Sequence, residues 1–477
     1  MQLNKILLVS AIAIAGGCAV PKKQLSPELS ALPDTFHHAA DNDSLQVSLP
    51  VRTTLFTDTV LLALIDTALQ QNADMLIAVQ KLNLSATELY RRKAAFLPSL
   101  EATASAGITR YGDYTIDGVG NFDTNLSGNI NEKQRTPDPL VPDYFVGFRS
   151  NWELDIWGKL KTLKTAASYQ YLSDQAAQQM VKTELVAQVA SLYYELLAKD
   201  NERAILEKNI QLQETALEII RTQKTGGRAT ELAVQQFQAQ LLRTQGAVFL
   251  TNQEITALEN QLCFLLGKYP ERIKRGTPLN LQQMPGTLNV GIPAQLLKNR
   301  PDIRREELKM KAVTAGTEAA RLSFKPSFLI TPYAGLNSFK AGLLFSPESA
   351  ALGILGNISA PLLNQRALKA NHREAATQAA ISFQEYRKTV LNAVQEVSSG
   401  LNAIQNITKA YQYKEQEFNV LNNGVSTAND LFLSGYANYL EVITAQRTVL
   451  ETELELSRQK KELLLSQVKL YRALGGN

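Results

Sequence analysis

The chain has 477 residues, with 49 Lys and Arg against 45 Asp and Glu, for a formal net charge of +4. Both signs are spread along the sequence with no basic block, which argues against a nucleic-acid partner or a polybasic membrane patch. A hydrophobic share of 45% and a charged share of 20% are those of a folded protein, and the length allows two or three domains or one extended subunit.

Lys5 precedes the apolar run "ILLVSAIAIAGG", which ends in small residues at Cys18. Charge, length and exit chemistry predict a signal peptide over 1–17, too short to span a bilayer as a helix. Cys18 after Gly16 and Gly17 has the form of a bacterial lipobox, with Ala15 where leucine is usual. In that reading its thiol takes a diacylglycerol, an acyl chain such as palmitate is added, and Cys18 becomes the mature N-terminus. Ala19 then favours sorting to the outer membrane. The other reading is a plain signal peptide cut elsewhere. No later apolar run is long enough for a helical span, which leaves a soluble periplasmic protein or a β-barrel.

An N-terminal arm follows over 18–59. It holds His37 and His38, which with His372 are the only histidines. The rest of the chain repeats itself. Asp74 leads a helical segment into "AAFLPSLEATASAG", and Asp302 leads one into "LSFKPSFLITPYAG" with the same spacing to the proline. Further on, "GGRATELAVQQFQAQL" parallels "SGYANYLEVITAQRTV".

The first repeat, 60–266, reads as a helix, a strand at 97–111, a loop, a strand at 144–157, a long helix at 159–225 and a helix at 228–266. A linker at 267–299 carries the Pro/Gly punctuation of irregular structure. The second repeat, 300–474, has a helix, strands at 326–339 and 351–362, and helices at 363–434 and 436–474. Lys159 to Thr225 contains neither Gly nor Pro. At 1.5 Å rise per residue each long helix would measure roughly 100 Å and each partner about 60 Å. Val181, Leu185, Val189, Leu192 and Leu196 recur three and four apart, the stripe of coiled-coil packing. Cys263 reads as a small buried hydrophobe, and no disulfide is expected.

"SLEATASAGI" and "VGFRSNWELDIW" alternate apolar and polar residues, which predicts strands. A half-buried soluble sheet gives the same pattern. The charged face formed by Arg149, Glu153 and Asp155 suits a water-filled lumen, with Phe148, Trp152 and Leu154 toward lipid. Four strands cannot close a membrane barrel. Three chains would pool twelve, with the loops Gly112–Pro142 and Lys340–Ser349 outside. The segment "NEKQRTPDPLVPD" looks the least ordered part of the body.

"LLKNRPDIRREELKMKAVTAGTEAARLSFKPSF", "SNWELDIWGKLK" and "NYLEVITAQRTVL" resemble the TolC-like outer membrane efflux proteins, and among them the NodT-type lipoproteins of tripartite efflux pumps. The resemblance implies a mainly α fold with a membrane β-barrel. It implies a homotrimer whose chains pool four strands each into a twelve-stranded barrel in outer-membrane lipids, on a long α-helical periplasmic tunnel. A mixed collar would be built from the arm, the linker and the C-terminal end. The function implied is a passive exit duct for small molecules. Its partners would be a periplasmic adaptor (a membrane fusion protein) and an inner-membrane transporter of RND type that supplies the energy. No cofactor is implied beyond the lipid at Cys18.

The same resemblance places function at the two helix-turn-helix tips. Leu440, Glu441 and Thr444 fall where relatives narrow the periplasmic end of the tunnel. Thr444 stands where many have Asp, and Ala233 takes the place of Glu441 in the first repeat. A threefold ring of Glu441 would favour cations and make closure sensitive to pH and divalent ions. As plain helix chemistry, Glu441 is an acid at a helix start. Arg447 either braces a neighbouring helix in the gate or lies on the surface. Gly227, Ala229 and Thr230, with Gly435, Ala437 and Asn438, are small residues where an adaptor hairpin could dock, or simply turn residues.

The sequence holds no phosphate loop, nucleophile elbow or HExxH pair, so no enzyme activity and no metal site are expected. Two other functions share parts of the pattern. One is the outer-membrane channel of a type I protein secretion system. The other is a structural periplasmic lipoprotein that conducts nothing.

Overall fold

A computed structural model describes residue 21 and residues 55–137, 139–282, 300–361 and 365–476. Cys18, His37, His38, most of the arm and the linker from 283 onward lie outside the described residues.

Helix α1 (Thr59–Gln71) starts at Asp58, whose carboxylate accepts from the Val60 and Leu61 amides. Asn72 ends it and opens α2 (Ala73–Ala94), because its side chain accepts from the Asp74 and Met75 amides. Strand β1 (Ser99–Thr109), helix α3 (Ile116–Leu126) and strand β2 (Val141–Leu154) follow. Then come α4 (Lys159–Thr225) and α5 (Glu231–Leu265), of 67 and 35 residues. The second repeat has α6 (Pro301–Leu322), β3 (Ser327–Ser338), β4 (Ala350–Ser359), α7 (Gln365–Leu433) and α8 (Tyr439–Ala473). Its long and short helices have 69 and 35 residues, so the repeat read from spacing is a repeat of structure.

Several boundaries differ from expectation for local reasons. The strand expected at 144–157 runs from Val141 to Leu154 instead. Beyond it Asp155 turns back to accept from the Leu160 and Lys161 amides and caps α4, with Gly158 at φ 78° in the turn. Alternation in "DIW" was therefore no longer strand periodicity. The first loop is not featureless: Thr115 caps α3, and Asn125 holds Thr136 through its backbone and hydroxyl. The helices expected from 228 and 436 begin at Glu231 and Tyr439, after their capping residues Thr230 and Asn438.

The chain forms two compact units. One contains Ser85–Tyr171 and Met310–Ser382, including one antiparallel sheet in the order β1-β2-β3-β4. The other contains 55–84, Leu172–Lys309 and 383–476. Its main core joins Leu185, Val189 and Leu196 of α4 to Ile65 of α1, Leu262 of α5 and Val468 of α8. The stripe on α4 is thus a packing seam, and Cys263 is fully buried in the same core.

Candidate functional site

In the sheet unit, strand register decides what each face carries. Ala102, Phe148, Ala334 and Leu352 stand opposite one another across the four strands, as do Ala104, Val146, Leu336 and Ala350. Leu100, Trp152, Ile354 and Ile358 fall on this same face and are exposed. The opposite face carries Glu101, Arg149, Asn151, Asn337 and Asn357. An exposed apolar sheet surface of this breadth is not that of a protein surrounded by water. Among the described residues the edges β1 and β4 are both unpaired, and a long unpaired edge invites a further strand. No helix among the described residues is long and apolar enough to cross a membrane.

At the periplasmic sheet end by the sequence reading, two tryptophans bond to the strand approaches. Trp152 Nε1 donates to the Phe96 carbonyl and Trp157 Nε1 to the Pro326 carbonyl. The Lys325 ammonium lies 4.5 Å from the Trp157 ring centroid, a cation–π contact that holds the start of β3.

In the helical unit the two tips share one backbone design. At the first, the Arg228 amide donates to the Gln223 carbonyl and the Gly227 amide to the Lys224 carbonyl. At the second, Tyr436 donates to Leu431 and Gly435 to Phe432. These are paired Schellman closures, and they require a residue at positive φ: Gly227 has φ 73° and Gly435 φ 82°. The glycines are thus turn residues first. Thr230 and Asn438 then cap the outgoing helices, accepting from the Ala233 amide and from the Leu440 and Glu441 amides.

Side chains distinguish the tips. Lys224 pairs with Glu231 across the first turn, whereas Tyr439 replaces that acid in the second. Glu441 completes a capping box, accepting weakly from the Asn438 amide at 3.5 Å. Leu440 is 53% exposed, and Glu441 and Thr444 are exposed on the same helix start. Arg447 reaches only Glu451, at 3.8 Å on the surface. One apolar cluster binds the hairpins together: Ile220, Ala233 and Phe237 of the first against Phe432, Tyr439 and Ile443 of the second. Ala229 and Ala437 are half-buried beside it, and Gly227, Thr230, Gly435 and Asn438 remain exposed. So the structure puts the six tip residues at adjacent turns, while Leu440, Glu441 and Thr444 have their exposed atoms turned from that cluster.

Two buried polar networks were not foreseen. Asp58 is 4% exposed and accepts from Tyr193 Oη (2.9 Å), the Thr277 amide (2.9 Å) and Gln282 Nε2 (3.1 Å), besides capping α1. Burial and this neighbouring carboxylate push the Tyr193 phenol well above its usual range. Arg300 is 5% exposed. Its guanidinium donates to both Asp302 oxygens, to Glu396 at 2.8 Å and to the Ala473 carbonyl at 2.7 Å. Arg472 continues the chain to Glu396 and Glu184. The "RPDI" signature therefore has a physical task, tying the start of α6 to α7 and to the end of α8. The motif itself was the available signal. Asp58 had only the form of a helix cap.

No group of three or more His, Cys, Asp and Glu that could hold a metal occurs among the described residues. His372 stands edge-on to Phe324.

A family model described as outer membrane efflux protein matches residues 64–268 and 292–476. The chain belongs to the outer membrane efflux protein family. Among its curated relatives, the solvent efflux pump outer membrane protein SrpC of Pseudomonas putida is 29% identical over 479 residues, covering 99% of this chain and 98% of that protein. The probable outer membrane lipoprotein SilC of Salmonella typhimurium is 25% identical over 481 residues, covering 99% and 98%. The solved outer-membrane channel MtrE of Neisseria gonorrhoeae, in its open state, shares the fold, with TM-score 0.80 and 22% identity over 96% of this chain and 98% of that one. This efflux protein is accordingly an outer-membrane protein, and the mainly α fold with four strands per chain, expected as each subunit's share of a pooled β-barrel, is the fold observed in the single chain.

Proposed function

We propose that three copies of this efflux protein form the exit duct of a tripartite pump, passing small molecules from the periplasm to the outside. The observation that carries this reading is the four-stranded sheet. Its apolar face is exposed, its opposite face is polar, and both edges are open. Four strands are too few for a membrane barrel, and three copies supply twelve, joining β4 of each chain to β1 of the next. Conduction through such a duct needs no catalytic residue. Energy would come from an inner-membrane transporter of RND type through a periplasmic adaptor, which docks at the exposed turns around Gly227 and Gly435. Leu440, Glu441 and Thr444 would narrow the tunnel at its periplasmic end. Cys18 would carry the lipid anchor, as the lipoprotein name of SilC supports.

Purified protein in planar bilayers tests the reading. Conductance should appear only from material whose mass is that of three chains. Conducting monomers, or silent trimers that remain silent when Leu440, Glu441 and Thr444 are all changed to Ala, would overturn it.

A further inference from the structure

The polar face of the sheet has one anomaly. Its β1 residues are exposed except the half-buried Thr103, yet Phe145 on the same face is 3% exposed. Its ring reaches along β2 to Gly147 and across to Gly335 on β3. Gly147 and Gly335 face each other across β2 and β3, and a β-carbon built on either would stand 3.0 Å from Phe145 Cζ. The same β-carbon on Gly335 would also come within 2.5 Å of the Val146 carbonyl oxygen. A β-carbon on Gly147 would likewise meet the Ala334 carbonyl oxygen and Gly335 Cα at 2.5 Å, so the facing strand and the ring together leave room only for glycine. Arg149 closes the other side, its guanidinium carbon 4.6 Å from the ring centroid.

The arrangement repeats one strand further on. Tyr333 pairs with Gly353 across β3 and β4. A β-carbon on Gly353 would fall 2.5 to 2.8 Å from three atoms of the Tyr333 phenol. Here the three nearest atoms all belong to the Tyr333 side chain. Phe145 and Tyr333 meet edge to face at 6.2 Å. Two aromatic residues on a polar face therefore pack close against glycine, Phe145 on Gly147 and Gly335 and Tyr333 on Gly353, with their ring planes 74° apart.

We propose that Phe145 and Tyr333 are lumen residues pressed onto the barrel wall, with Gly147, Gly335 and Gly353 as sockets that keep the bore open for cargo. This rests on the reading of the polar face as the inside of a trimeric barrel. In the trimer six rings lie at this depth. Standing upright they would reach toward the axis and narrow the passage. Folded onto the wall they leave the passage open beside the charged pair of positions Glu101 and Arg149, which stand in register with Tyr333, and this favours passage of bulky solutes.

Asn151 is exposed on the same face, beyond Tyr333 and Phe145 for a probe entering from the loop side. The test labels Asn151→Cys in intact trimers, from the outside, with N-ethylmaleimide and with a bulky polyethylene-glycol maleimide. The parent protein, with Cys263 buried, gives the background. Gly353→Ala lifts Tyr333 and should slow the bulky probe about tenfold relative to the small one. Adding Tyr333→Ala should restore the parent ratio. Phe145→Ala alone should leave the ratio unchanged, because a ring that is already buried does not obstruct. A rise in bulky labelling in Phe145→Ala, or an unchanged ratio in an assembled Gly353→Ala trimer, overturns the proposal even if the barrel stands. Failure of the small probe to reach Asn151→Cys in assembled trimers overturns the barrel reading, and the socket proposal with it.

Discussion

The helical unit is held differently around Asp58 and Arg300, its collar by the proposed reading, and at its tips. Around Asp58 and Arg300, buried charges are satisfied by partners from four helices and the linker. Lys460 belongs to the same style of packing. It is 8% exposed and donates to the Asn280 carbonyl at 2.6 Å, with burial pushing its ammonium below the usual range against the pull of Glu415. The tips have one apolar cluster, two glycine turns and two caps. Buried polar networks tolerate only one arrangement, because any shift strands a charge or a donor. Apolar contacts and exposed caps are non-directional or local, and regions built from them open at lower cost. The difference separates a part of the helical unit held in one arrangement from turns that open at lower cost.

Breaking the collar should have the largest effect. Arg300→Ala leaves Glu396 and Asp302 without their buried partner and should destabilise the fold by about 3–5 kcal/mol, read as a loss of thermal stability and of trimer. Arg300→Lys should recover only part, since an ammonium lacks the planar fork that serves three partners. A variant as stable as the parent would show that the network is dispensable.

Phe237→Ala, at 2% exposure in the tip cluster, should cost about 3–5 kcal/mol locally. The comparison is sharpened by where the loss appears. Hydrogen exchange should rise at 215–240 and 432–445 and leave the collar protected, whereas Arg300→Ala should expose both regions. Uniform deprotection in Phe237→Ala would contradict separate behaviour of tips and collar.

The caps come next. Asn438→Ala should destabilise the second tip by about 1 kcal/mol, with Asn438→Asp close to neutral. Gly435→Ala should cost on the order of 1 kcal/mol through its positive φ, so a bulky change at Gly435 tests the turn as much as any docking surface. Tyr436, 85% exposed beside it, is the cleaner site. Tyr436→Glu should lower export with trimer and stability intact, and normal export would remove this face from adaptor docking. The smallest effect is expected of Arg447→Ala, within about 0.5 kcal/mol in the isolated chain because its pair with Glu451 is exposed. A larger loss in the trimer than in the monomer would identify a brace between chains.

Much of the architecture could be read from the sequence because its signals are local. Absence of Gly and Pro bounded α4, matched spacing to Pro98 and Pro326 exposed the repeat, and strict alternation marked β1. Errors arose where a polar side chain reached across a boundary, as Asp155 does in ending β2 and capping α4. At the candidate site, the two glycine turns were legible, because few residues other than glycine accept a left-handed backbone. Glu441 was legible as an acid at a helix start, but its capping box with Asn438, and which face of α8 it shares with Leu440 and Thr444, followed only from the structure, where Val442 and Ile443 pack inward.

The sequence by itself determined the elements, their duplication and the family, since each depends on periodicity, spacing or a contiguous motif. Only the tertiary structure decided which residues meet: Asp58 with Tyr193 and Gln282, Arg300 with Glu396 and the Ala473 carbonyl, Phe145 with Gly147 and Gly335. Such contacts join positions tens to hundreds of residues apart or depend on strand register. No local pattern records them, because they arise when separate helices and strands exclude water from the same place.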